Sequence, residues 1–355
     1  MSSARGAWRA TRRGSLVTPA RLAAAPALTL ALVLGACAGG AAGGGSGAPP
    51  APVDGARQGF VRGAGGVRLY YEVTGSGADT VVVVHGGPGA GSGSIAPDLA
   101  PLAERHVVVY FDQRGGGRSG LPEDTALLHA RYVVEDLEAV RRHFRLDRLA
   151  LLAHGSGALV AARYAEAYPA RVARMVFVGA IGPRLADAAA YARGVHARMD
   201  EGTARDVANL VRALRSDTTT DVAAVCREYE RRFRAVVAPA GARAEERGTT
   251  CTAPPEAIRY ANRFTSEVTF NSFGAWDFTR SLQGVSAPLL VVYGDRDARA
   301  IPPQRVWSAA VPDGRLLIVP GAGRAPHVAR PDVFFPAVDA FLAGGWPEGA
   351  QAPKR

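Results

Sequence analysis

The segment that most constrains this chain of 355 residues is an apolar run, a turn of small residues and an alanine-rich stretch in direct succession. The apolar run is Arg148–Leu152, and the turn reads Ala153-His154-Gly155-Ser156-Gly157. A short apolar run predicts a buried strand, and the alanine-rich stretch Ala158–Tyr168, which stops at Pro169, predicts a helix. A strand that turns directly into a helix is typical of α/β proteins.

The turn has the form of a nucleophile elbow with no nucleophile at its centre. In such an elbow, a small-x-Ser-x-small sequence holds a strained serine at the apex of the turn. The outer residues must be small because the helix doubles back against the strand. These positions fit Ala153 and Gly157, so that Gly155 occupies the apex and Ser156 follows one residue late. An apex at Ser156 would place His154 where a small side chain is needed.

Strand-like and helical patterns alternate along most of the chain, which predicts a mostly parallel sheet covered by helices on both faces. The other apolar runs that predict strands are Val67–Val73, Thr80–His85, Val107–Asp112, Met175–Gly179, Leu289–Gly294 and Leu316–Val319. Between 186 and 283 the pattern becomes helical and rich in Arg and Glu, which predicts a helical cap inserted over the edge of the sheet where ligands bind. The predicted core is then 58–185 and 284–345, followed by a tail, 346–355.

Residues 1–37 predict an export signal. Arg5, Arg9, Arg12 and Arg13 form a charged start, and the apolar stretch that follows, Leu22–Leu34, is too short to span a bilayer. The segment ends in Leu34-Gly35-Ala36-Cys37, which resembles a bacterial lipobox, in which the cysteine is acylated. The Gly-, Ala- and Pro-rich residues 38–57 predict a flexible tether. We therefore expect export from a bacterial cell and a lipid anchor at Cys37 on the periplasmic or outer face of a membrane. The alternative to a lipoprotein is a signal peptide that is cleaved without lipidation. The export route, general or twin-arginine, is left open by the sequence.

Charge and cysteine content limit the other classes of function. The formal charge of +10 falls to +5 without residues 1–37, and the arginines are dispersed, so nucleic-acid binding is not expected. We expect no cofactor and no metal, because the seven histidines are scattered and the glycine runs lack the lysine of a phosphate loop. In an exported protein, Cys226 and Cys251 are expected to form a disulfide, the alternative being two buried thiols.

Two further motifs carry a resemblance to a known family. One reads His85-Gly86-Gly87-Pro88-Gly89 after an apolar run, and the other reads Asp112-Gln113-Arg114-Gly115-Gly116-Gly117-Arg118-Ser119. Over 58–345 the chain resembles the proline iminopeptidase group of the α/β-hydrolases, which are serine aminopeptidases with a helical cap. The resemblance implies an α/β-hydrolase fold. It also implies that the first motif is an oxyanion loop, with Gly87 and Ser156 expected to supply the N–H donors.

The resemblance also locates the three catalytic positions. In this group a proline lies fourteen residues beyond the nucleophile, and Pro169 lies fourteen residues beyond Gly155, which puts glycine at the nucleophile position. Asp297 matches the catalytic acid. The base should end a segment of the form Pro-Gly-Ala-Gly-His, but here Arg324 ends that segment and His327 follows three residues later.

These substitutions predict a protein that has lost hydrolase activity and kept a pocket. Glycine has no side chain that attacks, and an arginine stays protonated and cannot act as a base. We expect the pocket to bind an anion or a peptide through the backbone N–H groups, the helix start after Gly157 and Arg324. A pair between Arg324 and Asp297 is expected to replace the usual contact of base and acid.

Two alternatives remain open from the sequence. A turn displaced by one residue would make Ser156 the nucleophile of an active aminopeptidase or esterase, with His327 as base and Asp297 as acid. The second alternative is a protein that docks a partner through its cap, for which the sequence contains no specific motif. Proline iminopeptidases hold the substrate amino group with acids of the cap, and this cap offers Glu228, Glu230, Glu246 and Glu267 without a matching motif.

Overall fold

A computed structural model describes residues 57–237, 246–297 and 300–353. The predicted export signal 1–37, with Cys37, and the tether 38–57 up to residue 56 lie outside the described residues. Within the part of the chain that is described, no helix combines the length and the apolarity needed to cross a membrane.

The centre of the fold is a sheet of eight strands in the order β1-β2-β4-β3-β5-β6-β7-β8. The strands β3 to β8 pair in parallel, whereas β2 is antiparallel to both β1 and β4. The bounds are β1 (Gln58–Arg62), β2 (Arg68–Thr74), β3 (Thr80–Val84), β4 (Val107–Phe111), β5 (Leu149–His154), β6 (Val172–Val178), β7 (Leu289–Gly294) and β8 (Gly314–Val319). This mostly parallel sheet confirms the predicted fold class, although β1 was not predicted.

Helices cover both faces of the sheet because the central strands are apolar on both sides. Leu151 contributes to one buried cluster and Leu152 to the other, as expected where side chains alternate across a strand. One cluster includes residues of α1, α2 and α9, and the opposite cluster includes residues of α11. The bounds are α1 (Ala130–His143), α2 (Gly157–Ala167), α9 (Ile301–Ala310), α10 (Pro326–Ala329) and α11 (Pro331–Leu342).

Six helices lie between β6 and β7 in the described part of the chain, in the stretch for which the sequence predicts a cap. They are α3 (Leu185–His196), α4 (Glu201–Arg215), α5 (Val222–Val237), α6 (Pro255–Tyr260), α7 (Ser266–Ser272) and α8 (Phe278–Ser281), and a π-helical stretch, Ala261–Thr265, joins α6 to α7. We call 185–281 the cap segment. It has a small buried cluster of its own around Leu214, Ile258 and the two cysteines. The sulfurs of Cys226 and Cys251 are bonded, which confirms the predicted disulfide.

The described end of the chain packs against the edge of the sheet. Gln351 forms an antiparallel bridge with Leu316 of β8, and its N–H donates to the Leu316 carbonyl at 2.9 Å. The Trp346 ring lies against Phe341 and under the guanidinium of Arg315. The predicted tail is therefore attached to β8 through Gln351.

Candidate functional site

The turn between β5 and α2 has Gly155 at its apex. Gly155 has φ of +57°, a conformation that favours glycine, whereas Ser156 is already helical at φ −75° and ψ −12°. Apart from its chain neighbours, a Cβ atom at Gly155 would have one heavy atom within 4 Å among the described residues, the Gly86 Cα at 3.8 Å. A Cβ atom at Gly157 would lie 2.2 Å from the Val84 carbonyl oxygen. The fold therefore requires glycine at 157, while at 155 it leaves room for a side chain.

The two glycine-rich motifs hold each other in place through His85. The buried His85 ring accepts the Gln113 N–H at Nε2 (3.1 Å), so its Nδ1 carries the proton and donates to the Gly86 carbonyl (2.9 Å). The Gln113 side-chain amide donates to the His85 carbonyl at 2.7 Å. Burial lowers the pKa of His85, so the ring stays neutral in this arrangement. The loop beside Gly155 is fixed by these bonds.

One of the two expected oxyanion donors already has an acceptor. The Gly87 N–H donates to the Ser156 hydroxyl oxygen at 2.9 Å, and Gly87 itself has φ of +67°. Ser156 therefore follows the apex and turns its hydroxyl towards the oxyanion loop. A hydroxyl that accepts one bond still has a proton to donate.

The other residues of the two motifs support the loops. Arg114 is buried and its guanidinium forms two hydrogen bonds with the Asp136 carboxylate, at 2.6 and 2.5 Å. The buried Asp112 carboxylate accepts the N–H and hydroxyl of Ser92. The Pro88 carbonyl accepts the Ser266 hydroxyl of the cap segment at 2.9 Å. A Cβ atom at Gly89 would lie 2.5 Å from the Cβ of Ala261, so this motif also packs closely on the cap segment.

Asp297 and Arg324, expected at the acid and base positions, pair with the cap segment and not with each other. The Asp297 carboxylate accepts the Tyr293 hydroxyl at 3.2 Å and lies 3.6 Å from the guanidinium of Arg198. The guanidinium of Arg324 lies 3.6 Å from the carboxylate of Glu246. The expected pair of Arg324 and Asp297 is therefore wrong, because the cap segment supplies an oppositely charged partner to each.

His327 is buried and makes none of the hydrogen bonds expected of a catalytic base among the described residues. It is 2% exposed, and its ring packs edge-on against His154 (centroids 5.6 Å apart) and beside Phe334. Neither ring nitrogen has a hydrogen-bond partner among the described residues. Burial lowers the pKa of His327 to about 4, so the ring is neutral near pH 7.

The alternative catalytic set is Ser156, His327 and Asp297. No hydrogen bond joins any two of these three residues in the described part of the chain. The Ser156 hydroxyl is bonded to the oxyanion loop, and Asp297 to Tyr293. His154, at the tight position before the apex, packs against His327, and burial lowers its pKa well below the usual value.

A cavity of about 740 Å³ adjoins the apex, and we call it the elbow cavity. Its floor includes Gly86, Gly87, Gly155 and Ser156. The residues that form its apolar walls are Ile181, Phe233, Val237 and Phe270. The lining also holds three ion pairs, Arg198–Asp297, Arg324–Glu246 and Arg234–Glu230.

The acids of the cap segment that reach the elbow cavity all have cationic partners. Glu246 lies beside Arg324, and Asp187 beside Arg184. The Glu230 carboxylate lies beside Arg234 and also accepts the Thr250 N–H and hydroxyl. Of the four glutamates that the sequence offered, only 230 and 246 line this cavity.

Sequence reasoning found Arg324 but missed Tyr191, Tyr293, Arg198 and Arg234 of the cavity lining. Tyr293 lies four residues before Asp297 on a strand that was predicted. The sequence could therefore have predicted that the Tyr293 side chain lies close to Asp297. Arg198 and Tyr191 come from the cap segment, where nothing in the local pattern indicates which side chains reach the sheet.

The alpha/beta hydrolase fold family matches residues 79–331, and the chain belongs to this family. Within it, the chain is similar to the proline iminopeptidase of Heyndrickxia coagulans, with 25% identity over 296 residues that cover 80% of this chain and 98% of the relative. The proline iminopeptidase of Saccharolobus solfataricus is 37% identical over 108 residues, which are 29% of this chain and 34% of that protein.

Solved structures share the fold. The proline iminopeptidase of Mycobacterium smegmatis superposes with a TM-score of 0.57 at 20% identity, covering 81% of this chain and 97% of the other. An esterase of Thermogutta terrifontis superposes with a TM-score of 0.55, also at 20% identity, covering 81% and 98%. The chain is thus a proline iminopeptidase-like α/β-hydrolase in sequence and fold.

Proposed function

We propose that this protein binds a ligand in the elbow cavity and does not catalyse acyl transfer there. The glycine at the apex carries the proposal. Gly155 stands where the elbow presents its nucleophile, and it has the backbone conformation of that position without a hydroxyl. Loss of a nucleophile and its base costs on the order of 10⁶ in kcat, which leaves negligible turnover.

The surroundings of the apex support the same conclusion. Arg324 stands at the base position, and a guanidinium that stays protonated takes no proton from an attacking group. Asp297 keeps a carboxylate, but its partners are a tyrosine hydroxyl and an arginine. His327 lies buried without a hydrogen bond to an acid among the described residues, so nothing there orients it as a base.

The lining of the cavity favours a compact ligand with an apolar body and one acceptor oxygen. A volume of about 740 Å³ lies in the range of small-molecule sites. The walls include Phe233 and Phe270, and the floor places the Ser156 hydroxyl beside the start of α2. A carboxylate, an ester carbonyl or a peptide carbonyl fits such donors.

Labelling with a fluorophosphonate, followed by peptide mapping, tests the loss of activity. We expect no label on the purified full chain. We expect label on a Gly155→Ser, Arg324→His double variant, because the structure leaves room for a side chain at 155. Stoichiometric label at Ser156, abolished by Ser156→Ala, would overturn the proposal and establish an active serine hydrolase instead.

We also propose that the chain is exported and held at a membrane by a lipid on Cys37. The disulfide of the cap segment supports this, since structural disulfides are typical of exported proteins. Metabolic labelling with a fatty acid in a bacterial host should mark the wild-type chain and leave Cys37→Ala unmarked. Recovery of the wild-type chain in the cytosol with residues 1–37 intact would contradict this proposal.

A further inference from the structure

Arg324 is paired with a carboxylate that belongs to the chain itself. Its guanidinium lies 3.6 Å from the Glu246 carboxylate, and both groups line the elbow cavity. The two side chains are 25% and 21% exposed, so neither is sealed from solvent. A separation of 3.6 Å is longer than a charge-assisted hydrogen bond, which is about 2.7–2.9 Å. The Nε of Arg324 is buried and has no hydrogen-bond partner among the described residues.

The backbone next to Glu246 is held firmly by the core. The Asp98 carboxylate accepts the N–H groups of Arg247 and Gly248, at 2.8 and 2.9 Å, and its side chain is 3% exposed. The Thr249 N–H donates to the Gly93 carbonyl at 3.0 Å. These bonds fix where the Glu246 side chain starts, and they do not use its carboxylate.

The cap segment holds the same stretch from the other side. The guanidinium of Arg234 donates to the carbonyls of Glu246 (2.7 Å) and Gly248, and the disulfide joins Cys251 to α5. Glu246 is therefore placed beside Arg324 by its neighbours, while its own carboxylate makes one loose ion pair among the described residues.

Resting on the proposed binding function, we propose that Arg324 is a carboxylate-recognition site and that Glu246 is an internal competitor which a ligand must displace. The ligand class is a monocarboxylate with an apolar body. Its carboxylate takes the place of Glu246 on the guanidinium, which offers two parallel N–H donors to such a group. Its body lies against the walls around Phe233 and Phe270.

Of the three arginines of the elbow cavity, Arg324 is the best suited to this exchange. Arg234 is engaged by the Glu230 carboxylate and by two backbone carbonyls. Arg198 lies beside Asp297, which is itself held by Tyr293, so a ligand there would leave a buried acid without its cation. Glu246 is 21% exposed in its pair with Arg324 and lies in a loop of the cap segment, so its carboxylate can be solvated once a ligand displaces it.

Calorimetric titration of the full chain with hexanoate and with hexanamide tests the inference, because the two probes differ in charge and hardly in shape. Glu246→Gln removes the competing charge, and we expect it to tighten hexanoate binding about fivefold, the worth of a partly exposed ion pair. We expect the affinity for hexanamide to stay the same. Arg324→Gln should abolish the preference for hexanoate over hexanamide.

Glu228→Gln is the matched control. Glu228 is a cap glutamate on α5 that pairs with Arg231 and Arg232 and does not line the elbow cavity, so its loss should leave both affinities unchanged. If Arg324→Gln does not fold, Arg324→Lys is the second variant. It keeps the positive charge but lacks the two parallel N–H donors of a guanidinium, so it should weaken the binding of hexanoate and leave that of hexanamide unchanged.

The outcomes separate the inference from the binding function. Equal hexanoate affinity in the wild type and Glu246→Gln would overturn the internal competitor and leave binding intact. Binding of hexanamide with no binding of hexanoate to any variant would overturn the carboxylate assignment alone. Failure of both probes with every variant would overturn the inference and the proposed pocket together.

Discussion

Alanine substitutions at the two glycines of the elbow should differ sharply in cost. At 155 the added Cβ meets no atom of the described residues beyond its chain neighbours closer than 3.8 Å, so Gly155→Ala costs only the strain of a side chain at φ +57°. That strain is about 1–2 kcal/mol. At 157 the added Cβ would lie 2.2 Å from the carbonyl oxygen of Val84, a residue of the central strand β3. The backbone of a central strand is held on both sides and cannot move far enough to relieve this contact. We expect Gly157→Ala to lower the free energy of unfolding by about 3 kcal/mol or more.

Urea unfolding of the two variants beside the wild type measures the difference. Near-UV circular dichroism follows the loss of tertiary packing, and the shift of the midpoint is converted with the slope of the wild-type transition. Similar losses in the two variants would refute the reasoning. A larger loss for Gly155→Ala would place the apex of the turn elsewhere.

Three further predictions concern stability. Replacing Cys226 and Cys251 with alanine opens a loop with a sequence separation of 25 and should cost about 3 kcal/mol, measured by thermal unfolding. Burial holds the pKa of His327 at about 4, below its unfolded value, so the unfolded chain binds the extra proton. Stability should therefore fall as the pH drops from about 6.5 to 4, by on the order of 3 kcal/mol, and His327→Leu should remove that part of the acid sensitivity in urea titrations at each pH. Asp98→Asn weakens the acceptor for two backbone N–H groups, so limited trypsin digestion should cut the stretch 246–251 faster than in the wild type. Equal digestion rates would contradict the role given to Asp98.

The sequence predicted the central sheet well because its strands are buried on both faces. Leu289–Gly294 is a continuous apolar run, and its predicted bounds agree with β7. β1 was missed because only Val61 of its five residues is buried, which leaves no apolar pattern to detect.

The elbow was predictable for a different reason. The demand for a small residue at 157 comes from a local contact with the adjacent strand, and local contacts leave a pattern in the sequence. The charged partners of Asp297 and Arg324 left none, because Arg198 and Glu246 approach from the cap segment. Their positions depend on how distant helices pack, and a local motif does not contain that information.

The space around a Cβ at Gly155 means that the fold of the turn does not depend on which side chain its apex carries. The parts of the elbow that shape the turn are demanded by folding, so they persist whether or not the protein performs chemistry. The apex is under a looser demand, since a Cβ at 155 has space around it and only the positive φ opposes a side chain there. A serine at 155 would therefore add a hydroxyl to the turn at the cost of backbone strain alone, without disturbing the fold. The stability of the turn and the chemistry at its apex therefore depend on different residues, and a nucleophile at 155 can be present or absent without changing what the fold requires.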